Sequence, residues 1–126
     1  MRNDKPNMIV ELTEDLAVNV VNFCRELSNQ KHYNLSSQLF KSGTSIGANT
    51  IEAQNAESKA DFIHKMKISA KEADETAYWL RICKRTNLIS EDHILHSQTQ
   101  TSINILSKII STTKKSINKS NVHQTS

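Results

Sequence analysis

Six apolar residues recur through the middle of this chain at alternating steps of three and four: Ile63, Met66, Ala70, Ala73, Ala77 and Leu80. Only a helix lines up such a row, because about 3.6 residues make a turn, and a strict seven-residue repeat is the seam of helix packed on helix. Phe62, Ser69, Thr76 and Cys83 form a second seven-residue row, and Trp79 and Ile82 add apolar surface beyond one seam. A helix that is sticky on more than one face needs more than one partner. Ser58 stands at its start as an N-cap with Asp61 three residues on, a short-acid form of the capping box, and Asn87 is placed to end it.

The rest of the chain supplies the partners. Leu16, Val20, Phe23 and Leu27, widened by Ala17, Val21 and Cys24, predict a first helix that starts near Thr13 as N-cap, with Glu14 and Asp15 in its first turn, and ends between Ser28 and Lys31. After a turn at His32–Asn34, a second helix is expected from about Ser36 to Ala56. Its middle, Ser42 to Asn49, contains both glycines of the chain, each costing about 1 kcal/mol against alanine in a helix interior. Either small side chains there admit a neighbouring helix closely, or the stretch is a loop. Ser90 is the expected cap of a fourth helix, followed by Glu91 and Asp92, with Ile103, Leu106, Ile110 and Ile117 in heptad spacing and Ile105 and Ile109 beside them. Fraying is expected past about Lys115. The organisation read from this pattern is a frayed segment over residues 1–12, a helical bundle over 13–117 and a disordered polar tail over 118–126. One proline and low aromatic content leave little for sheets. The expected fold is all-α, an antiparallel up-down-up-down four-helix bundle; a three-helix bundle with a loose second segment, or a hairpin that folds only as an oligomer, are the alternatives.

Several function classes find no support. A di-metal carboxylate bundle needs Glu-x-x-His pairs; Glu72-x-x-Glu75 is present, with Glu52 able to face it, but no Glu-x-x-His occurs. His93-x-x-His96 offers two ligands, too few for a metal site. No nucleophile elbow, Walker loop or dinucleotide fingerprint is present, and Cys24 and Cys83 read as small buried thiols. No enzyme and no cofactor is expected. No stretch reads as a secretion signal and no apolar run approaches the roughly 20 residues of a membrane span, so a cytoplasmic protein without a membrane partner is expected. Asn49, Glu52, Glu72 and Glu75 lie beside apolar rows on the second and third helices. They are either solvated or members of a polar network joining helices or subunits, with Thr44, Ser45, Tyr78 and Trp79 as donors.

The stretch Gln38 to Asn49, followed by Glu52-Ala53-Gln54, Ser58 to Ile63 and Lys71 to Leu80, resembles the four helix bundle proteins, also called ribosomal RNA intervening-sequence proteins. The accessory variability determinant of diversity-generating retroelements is similar in kind. The resemblance covers about Leu12 to Leu106. It implies a four-helix bundle that assembles as a homopentamer with a central channel, one face of the third helix building the protomer core and the other packing on a neighbour. It also implies nucleic acid, RNA or DNA, as a partner, and for the retroelement relatives a reverse transcriptase. Lys41 stands where the family commonly has arginine, which keeps the charge but loses the bidentate fork.

Charge placement agrees with a polyanion partner. From His93 onward there is no acid, while Lys108, Lys114, Lys115 and Lys119 all fall there, and Arg81, Lys84 and Arg85 close the preceding segment. The net charge of +3 is modest on one chain, but five copies carry about +15, enough to steer nucleic acid. The expected contacts are Lys65, Lys67, Arg81, Lys84, Arg85, Lys108, Lys114 and Lys115. With no exposed aromatics expected among them, they should address phosphate rather than bases. The competing reading is a protein-interaction scaffold, with these lysines serving as ordinary solubilising surface.

Overall fold

The computed structural model describes residues 7–125, with side-chain environments for 7–119, and every regular element among them is a helix. The helices are α1 (Met8–Asn29), α2 (Tyr33–Ala53), α3 (Lys59–Arg85) and α4 (Ile94–Thr125). Each packs on its sequence neighbours and α4 closes on α1, whereas no Cα of α1 lies within 8 Å of α3, nor of α2 within 8 Å of α4. The four helices therefore form a bundle with two diagonals. Its axis is filled by Leu16, Val20, Leu27, Leu39, Ile46, Met66, Ala73, Leu80, Leu95 and Leu106, all essentially inaccessible. Burying a side chain of leucine size contributes about 1.5–3 kcal/mol.

The expected helices all form, but their ends move. α1 begins at Met8, and its cap is Asn7, whose Oδ1 accepts from the Val10 N–H at 3.5 Å. Thr13, the expected cap, is buried mid-helix and donates its hydroxyl to the Ile9 carbonyl at 2.8 Å. Burial of Ile9 extends the apolar stripe one turn earlier, so residues 8–12 are helical rather than frayed; residues 1–6 lie outside the described residues. α2 starts at Tyr33 instead of Ser36 and stops at Ala53 instead of Ala56. α4 starts at Ile94, not after Ser90, because His93 acts as its cap: its Nδ1 accepts from the Leu95 N–H at 3.1 Å. α4 then continues to Thr125, through the region expected to fray and most of the expected disordered tail; Ser126 lies outside the described residues. Half-buried Ile109, Ile110 and Ile117 give α4 an apolar edge far down its length, and Lys59 donates to Ser116 Oγ at 2.7 Å.

The central stretch of α2 is helix, not loop. Gly43 faces Val20 of α1 so closely that a Cβ there would stand 2.7 Å from Val20 Cγ1, and a Cβ on Gly47 would stand 3.3 Å from the Thr13 carbonyl oxygen. The opposite side of α2 meets α3 through hydroxyls. Ser69 Oγ and Thr50 Oγ1 each lie 2.8 Å from the Ile46 carbonyl and 2.9 Å from one another. Thr76 Oγ1 lies 3.0 Å from Ser42 Oγ and 2.8 Å from the Glu72 carbonyl. All four hydroxyl residues are buried, so these bonds offset desolvation that would otherwise cost about 1–3 kcal/mol each.

Two helix ends use the same device. After α1, Lys31 takes φ 67°, its N–H bonding the Ser28 carbonyl at 2.9 Å while the His32 N–H bonds the Leu27 carbonyl at 2.8 Å. After α3, Asn87 takes φ 61°, with matching bonds from Asn87 to Lys84 and from Leu88 to Cys83. Both are Schellman closures; asparagine suits the left-handed position, lysine does not. At the N-terminus of α3, Ser58 Oγ accepts from the Asp61 N–H at 3.0 Å as expected, but Asp61 returns its carboxylate to the Glu57 N–H rather than to that of the cap.

Cys24 and Cys83 are free and buried. They stand on diagonal helices whose Cα atoms are more than 8 Å apart, beyond disulfide reach. Burial pushes the Cys24 thiol from its ordinary 9.0 up to about 11, against the lowering effect of its contact with Ser36 and with a small raising effect from Cys83. Burial also raises Cys83.

Three outcomes follow from this packing. Gly43→Ala should lower stability by about 1–3 kcal/mol in chemical denaturation, since the added Cβ would stand 2.7 Å from Cγ1 of fully buried Val20 and force a shift there. Lys31→Gly should raise stability by about 1 kcal/mol, by relieving the left-handed backbone. The raised Cys24 pKa means the neutral thiol is favoured on folding. Its stabilisation is complete below about pH 9 and is lost as pH rises through about 11, so the denaturation midpoint should fall across that window and Cys24→Ser should flatten the fall.

Candidate nucleic-acid interface

The eight expected cations are all on α3 and α4, and the packing of these helices divides them. At one end, Lys67 and Lys114 approach each other across the α3–α4 seam. The contact with Lys67, and its positive charge, hold the Lys114 amine below its usual range. Lys115 is exposed next to Lys114, and Lys59, absent from the expected set, joins this end through its bond to Ser116. Lys65 is half-buried and paired with Asp61 at 3.6 Å. At the other end stand Arg81, Lys84 and Arg85, all exposed, with Lys84 reaching Glu91 at 4.0 Å. Lys108 is exposed on α4. These two are the only ion pairs among the described residues, both on the surface, and such pairs are worth about 0–1 kcal/mol. Lys67, Lys114, Lys115, Arg81 and Arg85 therefore have no acid partner among the described residues.

Helical placement also exposes an aromatic that the sequence pattern hid. Tyr78 is 47% exposed, and the Arg81 guanidinium carbon lies 5.8 Å from its ring centroid. Trp79 meets Tyr78 edge-on, with ring centroids 5.1 Å apart. This corrects the expectation of no exposed aromatic among the cations. Tyr78 sits five residues after a buried position on the seam row and one before Trp79, so periodicity alone placed it ambiguously at the edge of the apolar stripe.

The four residues of the expected polar network are not hydrogen-bonded to one another within the protomer. Asn49 Nδ2 donates to the Ser45 carbonyl of its own helix at 2.8 Å, Glu75 Oε1 accepts from Trp79 Nε1 at 3.3 Å, and Glu52 is exposed. Glu72 is half-buried, and its carboxyl is raised first by that burial and then by Glu75, while Lys41 and Lys71 pull the other way. Thr44 and Ser45 bond carbonyls of their own helix. The buried polar contacts that join α2 to α3 are instead made by hydroxyls, in the pairs Thr50–Ser69 and Ser42–Thr76. Their signal was present in the second seven-residue row, which carries Ser69 and Thr76 at spacing that faces a neighbour.

Among the described residues no three His, Cys, Asp or Glu side chains are grouped to hold a metal ion. His93 is occupied as the α4 cap, and His96 Nε2 lies 3.0 Å from the Ser90 carbonyl, so neither is aimed at a shared ligand. No helix of the described residues is long and apolar enough to cross a membrane.

Against known proteins, the model of the 23S rRNA-intervening sequence protein family matches residues 5–112. A solved structure from Bacteroides thetaiotaomicron, described as a protein with unknown function from the S23 ribosomal protein family, is similar with a TM-score of 0.79 and 40% sequence identity. That match covers 81% of this chain and 97% of the other. No curated protein matches. With four helices in one bundle and a family match over most of its length, this chain belongs to the 23S rRNA-intervening sequence protein family.

Proposed function

We propose that this chain is a non-enzymatic, oligomeric accessory factor that binds nucleic acid non-specifically through phosphate contacts on its α3–α4 face. The observation that carries the reading is the return of α4 beside the start of α3, where Lys59 bonds Ser116 and where Lys67, Lys114 and Lys115 are exposed without an ion-pair partner among the described residues. Two like charges held together repel, and a phosphate placed between them relieves that repulsion while accepting charge-assisted hydrogen bonds. Arg81 and Arg85 provide a second grip at the other end.

In this reading the bundle is antiparallel, up-down-up-down, and the working unit is the homopentamer that the family resemblance implies. The residue pairs Asn7–Gln54, Cys24–Ser36, Ser42–Thr76, Thr50–Ser69 and Lys59–Ser116 support the topology, since rising numbers on one helix meet falling numbers on the next. Tyr33, Phe40 and Ile51 of α2 and Tyr78 of α3 are large apolar side chains left exposed, which supports burial against another copy. Half-buried Glu72, with Lys41 nearby, is placed to pair across such an interface. Assembly multiplies the basic surface, and a cytoplasmic nucleic-acid complex is its setting. A reverse transcriptase is the protein partner that the retroelement resemblance suggests. The same exposed apolar residues favour a second reading, a protein-docking scaffold.

Fluorescence anisotropy with labelled structured RNA and duplex DNA, at several salt concentrations, tests the reading. Binding should be micromolar or tighter at low salt and weaken steeply as salt rises, and the double variant K67E/K114E should weaken it on every sequence and reduce the salt slope by about 2. No binding at low salt, or binding indifferent to K67E/K114E, would refute the phosphate reading and favour the scaffold.

A further inference from the structure

We infer that the cleft between α3 and α4 lined by Ala77, Leu80, Arg81, His96, Thr99 and Gln100 binds a single phosphate group. Thr99 points to it first. In Thr13, Thr44, Thr50, Thr76, Thr86 and Thr113 the hydroxyl bonds the carbonyl four residues earlier. Thr99 makes no such bond. Its Oγ1 is the one buried side-chain polar atom among the described residues without a hydrogen-bond partner, in a residue 1% exposed. An unmet buried hydroxyl is costly, and a bound acceptor would remove the cost.

The rest of the lining fits an anion. Arg81 forms no ion pair among the described residues and is held by its stacking over Tyr78, which leaves the edge of the guanidinium to offer its fork of N–H donors. Gln100 gives one amide hydrogen to Asn104 at 3.0 Å and keeps the other. His96 is braced by its bond to the Ser90 carbonyl and walls one side. No carboxylate lines the cleft. The cavity is about 220 Å³, room for a phosphate with a few waters. Thr99 Oγ1 has no solvent contact in this conformation, so it reaches a phosphate in the cleft only when side chains around it move.

The site gives the α3–α4 face a fixed phosphate position next to an exposed tyrosine, as distinct from the diffuse attraction of lysines. That the phosphate belongs to a nucleic-acid backbone rests on the function proposed above; the phosphate site itself does not. Titration of the isotope-labelled protein with inorganic phosphate, followed by amide NMR, tests it. Saturable shifts should appear at residues 77–81 and 96–100. R81Q should weaken binding about tenfold or more and T99V about threefold or more. T99V removes an unpartnered hydroxyl at nearly constant volume, so it should not lower the melting temperature. Shifts confined to the Lys67–Lys114 end, or unchanged affinity in either variant, would overturn the site. Phosphate binding at the cleft without any RNA binding would keep the site and refute the nucleic-acid function; RNA binding without cleft shifts would do the reverse.

Discussion

The close approach of α2 to both of its neighbours is the constraint on which the rest of the bundle depends. Gly43 and Gly47 let α1 come in until Val20 and the Thr13 backbone touch the helix itself, and Ser42 and Thr50 let α3 come in on the other side. Two mid-helix glycines cost about 1 kcal/mol each against alanine. That cost is offset by tight packing and by hydroxyls satisfied across a narrow gap, where larger side chains would hold the helices apart and leave carbonyls such as that of Ile46 with fewer partners.

This packing determines what the outer surface offers. With α2 packed between α1 and α3, its outward side carries Tyr33, Phe40 and Ile51 into solvent. α3 and α4 in turn share a seam whose two ends differ in chemistry. One end brings lysines from both helices together without neutralising acids. The other holds an arginine stacked on tyrosine above a cleft with an unmet hydroxyl. The carboxylates near the seam, Glu72 and Glu75, sit instead on the α2 side of α3, beside Lys41 and Trp79.

Much of the fold was legible in the chain because helical periodicity is a local property. The rows through Ile63 to Leu80, Leu16 to Leu27 and Ile103 to Leu106 name the buried sides correctly, and Ser58 caps α3 as its position suggests. The helix ends were less legible, because caps compete. Thr13 is as good a cap as Asn7, and Ser90 as His93, until the burial of Ile9 and Leu95 decides between them. The cations were nameable from their clustering, but Lys59 was not, since only the return of α4 beside it gives it a role. The polar network was expected around Asn49, Glu52, Glu72 and Glu75; the small hydroxyls Ser42, Thr50, Ser69 and Thr76 meet between α2 and α3 instead, because only short side chains fit where the two helices run close.

What the sequence by itself determined is the all-helical class, the apolar sides of the helices and the bias of positive charge toward α3 and α4, since each follows from spacing along one chain. Tertiary structure alone decided which surfaces meet. It made helix of the glycine-containing stretch of α2, brought Lys59 to Ser116 from 57 positions apart, left Thr99 without a partner and kept two cysteines at opposite ends of one diagonal. The physical reason is range. Periodicity is read over a few residues, whereas a contact between helices depends on how closely their backbones approach, and that distance is set jointly by side chains far apart in sequence.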